Sequence, residues 1–172
     1  MSLVLRKLNL NDHKAFLEGL DLFKDMEPSW YSFLWEEGMS FNDHIKLLEE
    51  RASGVNIPEG RVPDSMLYAF LDNKIIGRSS IRHELNEFLF NVGGHIGYAV
   101  ATPFRKRGYA TEILKQSLIY CKNELQLEKV LLTCDDDNIG SFLVIEKNGG
   151  ELESRFVSED GTIIKRRYWI KL

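Results

Sequence analysis

Apolar residues along the chain recur with two spacings, and the switches between them outline the elements. Leu3-Val4-Leu5-Arg6-Lys7-Leu8 predicts a first strand. Either Asn11 or Asp12 can cap a helix start, and Phe16, Leu17, Leu20 and Phe23 then form one apolar stripe to about Lys24. A second helical region is expected from Trp30 to Ala52, interrupted near Gly38, with Asn42-Asp43 as a fresh cap. Ser53 to Ser65 holds Gly54, Pro58, Gly60 and Pro63 and reads as loop. Met66–Leu71 and Ile75–Leu85 flank the turn Asp72-Asn73-Lys74 and predict a hairpin. A further strand, Gly94–Val100, stops at Thr102-Pro103, because proline has no N–H to pair.

Residues 108–123 place Ala110, Ile113, Leu114, Ser117, Leu118 and Cys121 at helical spacing. Lys129–Cys134 is a short buried strand, and Asn138–Lys147 is a helix ended by Asn148-Gly149-Gly150. Glu151–Ser158 and Thr162–Leu172 close the chain as a hairpin across Glu159-Asp160-Gly161. The fold class that follows is α/β (α+β mixed), in the order β-α-α-β-β-β-α-β-α-β-β. It is a central mixed, mostly antiparallel sheet with helices on both faces. The meander in its middle separates it from a doubly wound dinucleotide fold.

Composition changes this picture little. With 172 residues and no linker or repeat, residues 1–172 read as a single domain. The longest apolar run, Met66–Leu71, is far short of a membrane span, and the amino terminus lacks a signal-peptide pattern. A cytoplasmic location and no membrane partner are expected. The formal charge of −4 argues against general nucleic-acid affinity. Cys121 and Cys134 are too few and too widely spaced for a zinc site, and His13, His44, His83 and His95 form no metal-binding pair, so no metal is expected.

Candidate chemistry concentrates in one stretch. In Gly97-Tyr98-Ala99-Val100-Ala101-Thr102-Pro103-Phe104-Arg105-Lys106-Arg107-Gly108-Tyr109-Ala110-Thr111 a strand ends, a basic turn follows and a helix begins on small residues. Helix starts carry unpaired N–H groups and partial positive charge, and so bind anions. Gly108 and Ala110 let the backbone approach a bulky ligand, while Arg105, Lys106 and Arg107 add charge-assisted hydrogen bonds. Together they predict a diphosphate cradle. The plainer reading of the three basic residues is a solvated charge cluster ahead of an ordinary helix.

Arg105-x-x-Gly108-x-Ala110, set between a strand and a helix, resembles the Gln/Arg-x-x-Gly-x-Gly/Ala signature of the GCN5-related N-acetyltransferase (GNAT) superfamily. The element order over the whole chain is similar as well. The resemblance implies acetyl-CoA as cosubstrate, lying in a wedge where strands 94–100 and 129–134 splay apart. It implies transfer of the acetyl group directly to an amine acceptor. The diphosphate would sit on backbone N–H groups from Arg105 through Ala110, with Thr111 beside them. Backbone groups around Tyr98, Ala99 and Val100 would pair with the pantetheine arm. Asn138, with Ser141 one turn on, stands where relatives use an asparagine against the pantetheine; Asn138 reads equally as a helix cap.

A neutral amine must form before attack, so the resemblance calls for a general base. His95 is the first candidate, because relatives often place a Glu, Asp or His on that strand; Glu84 and Glu87 are reserves near the preceding turn. A packed or hydrogen-bonded histidine is the competing reading for His95. Many relatives carry a tyrosine acid seven residues after the asparagine, where this chain has Ile145. That departure keeps open a non-catalytic acyl-CoA-binding or regulatory module. Tyr98 and Ser141 are further candidates to assist the leaving sulfur. Asp25 to Glu37 offers aromatic faces and carboxylates that would suit a cationic amine, or simply core packing. The carboxy-terminal hairpin 162–172 is a possible homodimer edge.

Overall fold

Both faces of the central hairpin are covered, which is why its sequence shows no clean alternation of apolar and polar residues. The computed structural model describes residues 2–26 and 30–172. Strand β1 (Val4–Arg6) leads through one 3-10 turn, Leu10–Asp12, into α1 (His13–Leu22), and α2 (Phe41–Ser53) follows. Strands β2 (Asp64–Leu71), β3 (Lys74–Arg82) and β4 (Ile96–Val100) precede α3 (Tyr109–Asn123). Then come β5 (Lys129–Asp135), α4 (Ile139–Lys147), β6 (Glu151–Val157) and β7 (Ile164–Lys171). This is the order read from the sequence.

All ladders are antiparallel, and the strands form two sheets, β1-β2-β3-β4 and β5-β7-β6. Met66, Tyr68 and Phe70 of β2 pack with Phe16, Phe23 and Phe41 of the α1–α2 layer. The alternate residues Leu67 and Ala69 pack with Leu114 and Ile113 of α3 on the other face. A strand buried on both sides reads as a continuous apolar run. The second core, which holds Leu67 and Leu114, continues through Cys121, Val130, Ile145 and Tyr168 and joins α3 and α4 to the second sheet.

Three local expectations are corrected. Asp12 does stand at the N-cap position of α1 but makes no side-chain cap bond there; the capping side chain is Asn9, one turn earlier, which accepts from Asn11 N–H while Asp12 accepts from Asn9 N–H. Asp12 is held by Arg6 at 2.6 Å. Residues 30–40 form turns rather than helix, and Ser40 caps α2. Aromatic packing overrides helical spacing here, because Tyr31 drops into the core between Phe16 and Phe23. Its hydroxyl donates to Phe16 C=O at 2.9 Å. The carboxy-terminal hairpin cannot offer β7 as a dimer edge, since β7 lies between β5 and β6 with both sides paired.

The Tyr31 hydroxyl lies directly over Gly19 of α1; a Cβ there would come within 1.8 Å of it. Gly19→Ala is therefore expected to lower stability by about 2 kcal/mol despite the better helix propensity of alanine, because overpacking displaces a buried ring. Urea unfolding monitored by fluorescence measures it, and an unchanged midpoint would contradict this packing.

Candidate active site

The two sheets meet at one point and then part. His95 N–H donates to Leu131 C=O at 2.7 Å, and Leu131 N–H donates to His95 Nδ1 at 2.9 Å. The close approach needs Gly94, whose φ is +66 and whose Cβ would lie 2.8 Å from Leu131 C=O. Thr133 Oγ1 also bonds Val92 C=O, fastening the π-helical turn Leu89–Gly93, which the sequence reading left as connection, to β5. Beyond this vertex no ladder joins β4 to β5, and a groove opens between them.

The direction of the β4 backbone follows from its pairing. His95 C=O accepts from Arg82 N–H, and Ala101 N–H donates to Ile76 C=O, so odd-numbered residues turn their polar groups toward β3. By two-residue alternation, Tyr98 and Val100 turn theirs toward the groove. Arg105 Nε already holds Val100 C=O at 3.1 Å and ties the basic turn to the end of β4.

The groove encloses about 560 Å³. Of the sequence-derived binding residues, Tyr98, Ala99, Val100, Arg105, Lys106, Gly108, Tyr109, Ala110, Thr111, Asn138 and Ser141 line it. Arg107 does not; its guanidinium lies 5.8 Å from the centre of the Phe104 ring. Met26, Trp30, Phe104, Gly140 and Val144 complete the wall; of these, Gly140 and Val144 fall in no segment the sequence singled out. Only folding brings Met26 and Trp30 to the helix start.

At that start, Gly108 has φ +83 and no side chain caps α3. Its first-turn N–H groups are therefore left for solvent or a ligand. Lys106 is also left-handed, at φ +59, so the turn curls its backbone around a concavity. A Cβ on Gly108 would meet nothing within 4 Å; it would point into open space. Asn138 does act as a cap, accepting from Ser141 N–H at 3.1 Å, while also facing the groove. The acidic run after β5 is partly neutralised by the hairpin: Lys165 reaches Asp135 at 2.5 Å and Arg166 reaches Asp136 at 2.8 Å.

The base candidates fall elsewhere. His95 is buried, sits at the vertex and does not line the groove, and burial lowers its pKa to about 4. Its Nδ1 lone pair is already occupied by Leu131 N–H, so taking a proton there would break the joint. This geometry fits a pin better than a base. Glu84 and Glu87 are exposed on the connection after β3 and do not line the groove. Tyr98 does face the groove: its hydroxyl donates to Ser141 C=O at 3.2 Å and lies 3.1 Å from Ser141 Oγ. Burial raises its pKa to about 12 and keeps it protonated. Ile145, where a tyrosine was sought, is fully buried in the second core, facing away from the groove.

The aromatic segment goes largely to core packing, one of the two readings its sequence allowed: Tyr31 is buried, and Phe33 and Trp35 pack against the first core. Glu27, Pro28 and Ser29 lie outside the described residues. The Trp30 ring faces the Arg78 guanidinium at 5.0 Å, and Phe33 faces Arg51 at 5.8 Å. These aromatic faces are taken by the protein's own cations.

Known proteins share this architecture. Residues 2–151 match the family described as acetyltransferase (GNAT) domain. A Bacillus subtilis (strain 168) protein, the uncharacterized N-acetyltransferase YnaD, is 33% identical over 61 residues. That match spans only 36% of this chain and 36% of YnaD. Among solved structures, Mycobacterium smegmatis RimJ in complex with CoA-disulfide has a TM-score of 0.68 at 20% identity, covering 98% of this chain and 81% of RimJ. A Vibrio cholerae spermidine N-acetyltransferase SpeG chimera with hSSAT has a TM-score of 0.64 at 19% identity, covering 99% of this chain and 96% of that one. At such identities the likeness is one of fold.

Proposed function

Given that this chain belongs to the GNAT acetyltransferase family, we propose that it moves an acetyl group from acetyl-CoA directly to an amine. The observation carrying this reading is the uncapped start of α3, with Gly108 left-handed, at the mouth of the groove between β4 and β5. Acetyl-CoA supplies a thioester carbonyl; the amine nitrogen bonds to that carbon as the C–S bond breaks. The N–H groups from Lys106 to Thr111 receive the diphosphate, and Lys106 adds charge. The outward N–H and C=O of Tyr98 pair with the pantetheine amides as an added strand would. The Tyr98–Ser141 hydroxyl pair, 3.1 Å apart and facing the groove, returns a proton to the departing sulfur in this reading. A thiolate is a good enough leaving group to need only such modest help.

The base is assigned to water reached through the groove, because none of His95, Glu84 and Glu87 lines it. The alternative of a binding module without chemistry rested on Ile145, and that position belongs to the core. Screening amines with acetyl-CoA and a thiol-detecting dye tests the proposal; CoA release no faster than background hydrolysis with every amine would refute it. Arg105→Ala is expected to weaken CoA binding about tenfold by freeing the turn from Val100, while pantetheine fragments lacking the diphosphate bind nearly as before. Calorimetry with both ligands gives the comparison.

A further inference from the structure

Behind Trp30 lies a second recess of about 300 Å³, lined by Arg51, Arg61, Arg82 and Asp64 with an apolar wall that includes Phe33 and Phe88. Arg51 and Asp64 are both buried and pair through Nη2 and Oδ2 at 2.6 Å, leaving Arg51 Nε and Asp64 Oδ1 without partners. Arg82 has no hydrogen bond or ion pair from its side chain among the described residues; burial works most strongly against its charge, the nearby Asp64 carboxylate supports it and Arg61 opposes it. Arg78, 5% exposed, lies under Trp30; its Nη1 meets only Met66 Sδ, at 3.0 Å, and its Nε has no partner. Among the described residues, Asp64 is the only carboxylate lining the recess; Glu84 and Glu87 are exposed on the following connection and line neither cavity.

Arg61 is exposed and Arg82 half-buried, so a ligand entering the recess can reach both guanidinium groups, and an incoming anion gives Arg82 the partner it lacks. The recess is placed to use it. Arg82 and Trp30 meet over β4 at Gly97, where a Cβ would stand 3.1 Å from Arg82 Nη1 and 3.7 Å from Trp30 Cζ3. Trp30 lines the groove and Arg82 lines the recess, so their meeting at Gly97 sets the cationic recess beside the strand along which the thioester would lie.

We propose that the acceptor is a small amine bearing an oxyanion group, a carboxylate or a phosphate, held by Arg82 and Arg61 in this recess with its nitrogen directed past Gly97 toward the groove. This rests on the acetyltransferase reading and adds the class of acceptor. A polyamine, the acceptor in the name of the Vibrio cholerae neighbour, would set positive charge against these arginines.

The test compares kcat/KM with saturating acetyl-CoA for L-leucine against L-leucinamide, and for phosphoethanolamine against ethanolamine, with spermidine alongside. An anionic member is expected to exceed its neutral partner by at least about tenfold, the worth of one charge-assisted hydrogen bond. Which pair shows the difference tells carboxylate from phosphate. Arg82→Gln should erase the preference and Arg82→Lys keep part of it, with acetyl-CoA affinity and melting temperature unchanged in both. Binding of N-acetyl-leucine and N-acetyl-phosphoethanolamine to the CoA-loaded protein, against their neutral counterparts, gives the same answer without turnover. A preference for the neutral amines or spermidine, a preference that survives Arg82→Gln, or no binding of either anionic product overturns the proposal. Failure to bind acetyl-CoA at all would instead sink the acetyltransferase reading.

Discussion

Gly108→Val is expected to weaken acetyl-CoA binding about a hundredfold, the equivalent of losing one or two charge-assisted hydrogen bonds. Two physical effects act together. At φ +83 a β-branched residue is strained, so the turn shifts toward a conformation that no longer aims its N–H groups into one concavity. The new side chain also projects into the open space that the ligand needs, since nothing in the protein occupies it. Gly108→Ala should fall between the two, because it carries the strain with only one methyl group. Isothermal titration with acetyl-CoA measures the effect. Because Gly108 is exposed, unfolding should change far less than binding. Wild-type affinity in the valine protein would remove the cradle and the function built on it.

His95→Phe is the second. Phenylalanine has no acceptor for Leu131 N–H, and a buried unpaired N–H costs about 1–3 kcal/mol, so the protein should lose about that much stability at pH 7. The pH dependence separates this from a general packing defect. In the folded state the His95 pKa falls from 6.5 to about 4, so between those values the unfolded chain binds more protons. Stability associated with neutral His95 is therefore full above pH 6.5, declines as pH falls, and levels off below about pH 4, a change of roughly 3 kcal/mol. Burial lowers the pKa of His44 and His83 too, and they remain in both proteins. The stability curves of wild type and variant should consequently converge on the acid side. Denaturant melts across that range measure it, and a gap independent of pH would refute the pin. The acid limb of the kcat/KM profile should stay in place in the folded variant; its disappearance would restore His95 as the base.

Burial also sets the chemistry of the two thiols. Cys121 and Cys134 are free and buried, and desolvation pushes both pKa values up, that of Cys121 to about 12. Neither lines the groove, so a thiol-detecting dye added to folded protein reads released CoA.

The cradle was legible because its ingredients are adjacent in the chain: a strand stop, three basic residues, a glycine and a small-residue helix start. The acceptor side was not. Arg51, Arg61 and Arg82 sit on α2, the following loop and β3, and their sequence spacing gives no hint that they share one cavity or that, among the described residues, one carboxylate joins them. The cationic-amine reading of the aromatic segment misled for a related reason. Trp30 and Phe33 have helical spacing and nearby acids, yet their faces are used by arginines from β3 and α2 that the local sequence does not contain.

By itself the sequence determined the order of elements, the helices on both faces and the basic, glycine-led start of α3, because each depends on periodicity or on neighbours within a few residues. Only the tertiary structure decided that β4 and β5 separate at a vertex pinned by His95, that Ile145 points into the core while Tyr98 faces the groove, and that unpaired arginines gather behind Trp30. Those outcomes follow from long-range packing, in which a side chain's role is set by residues far away in the chain.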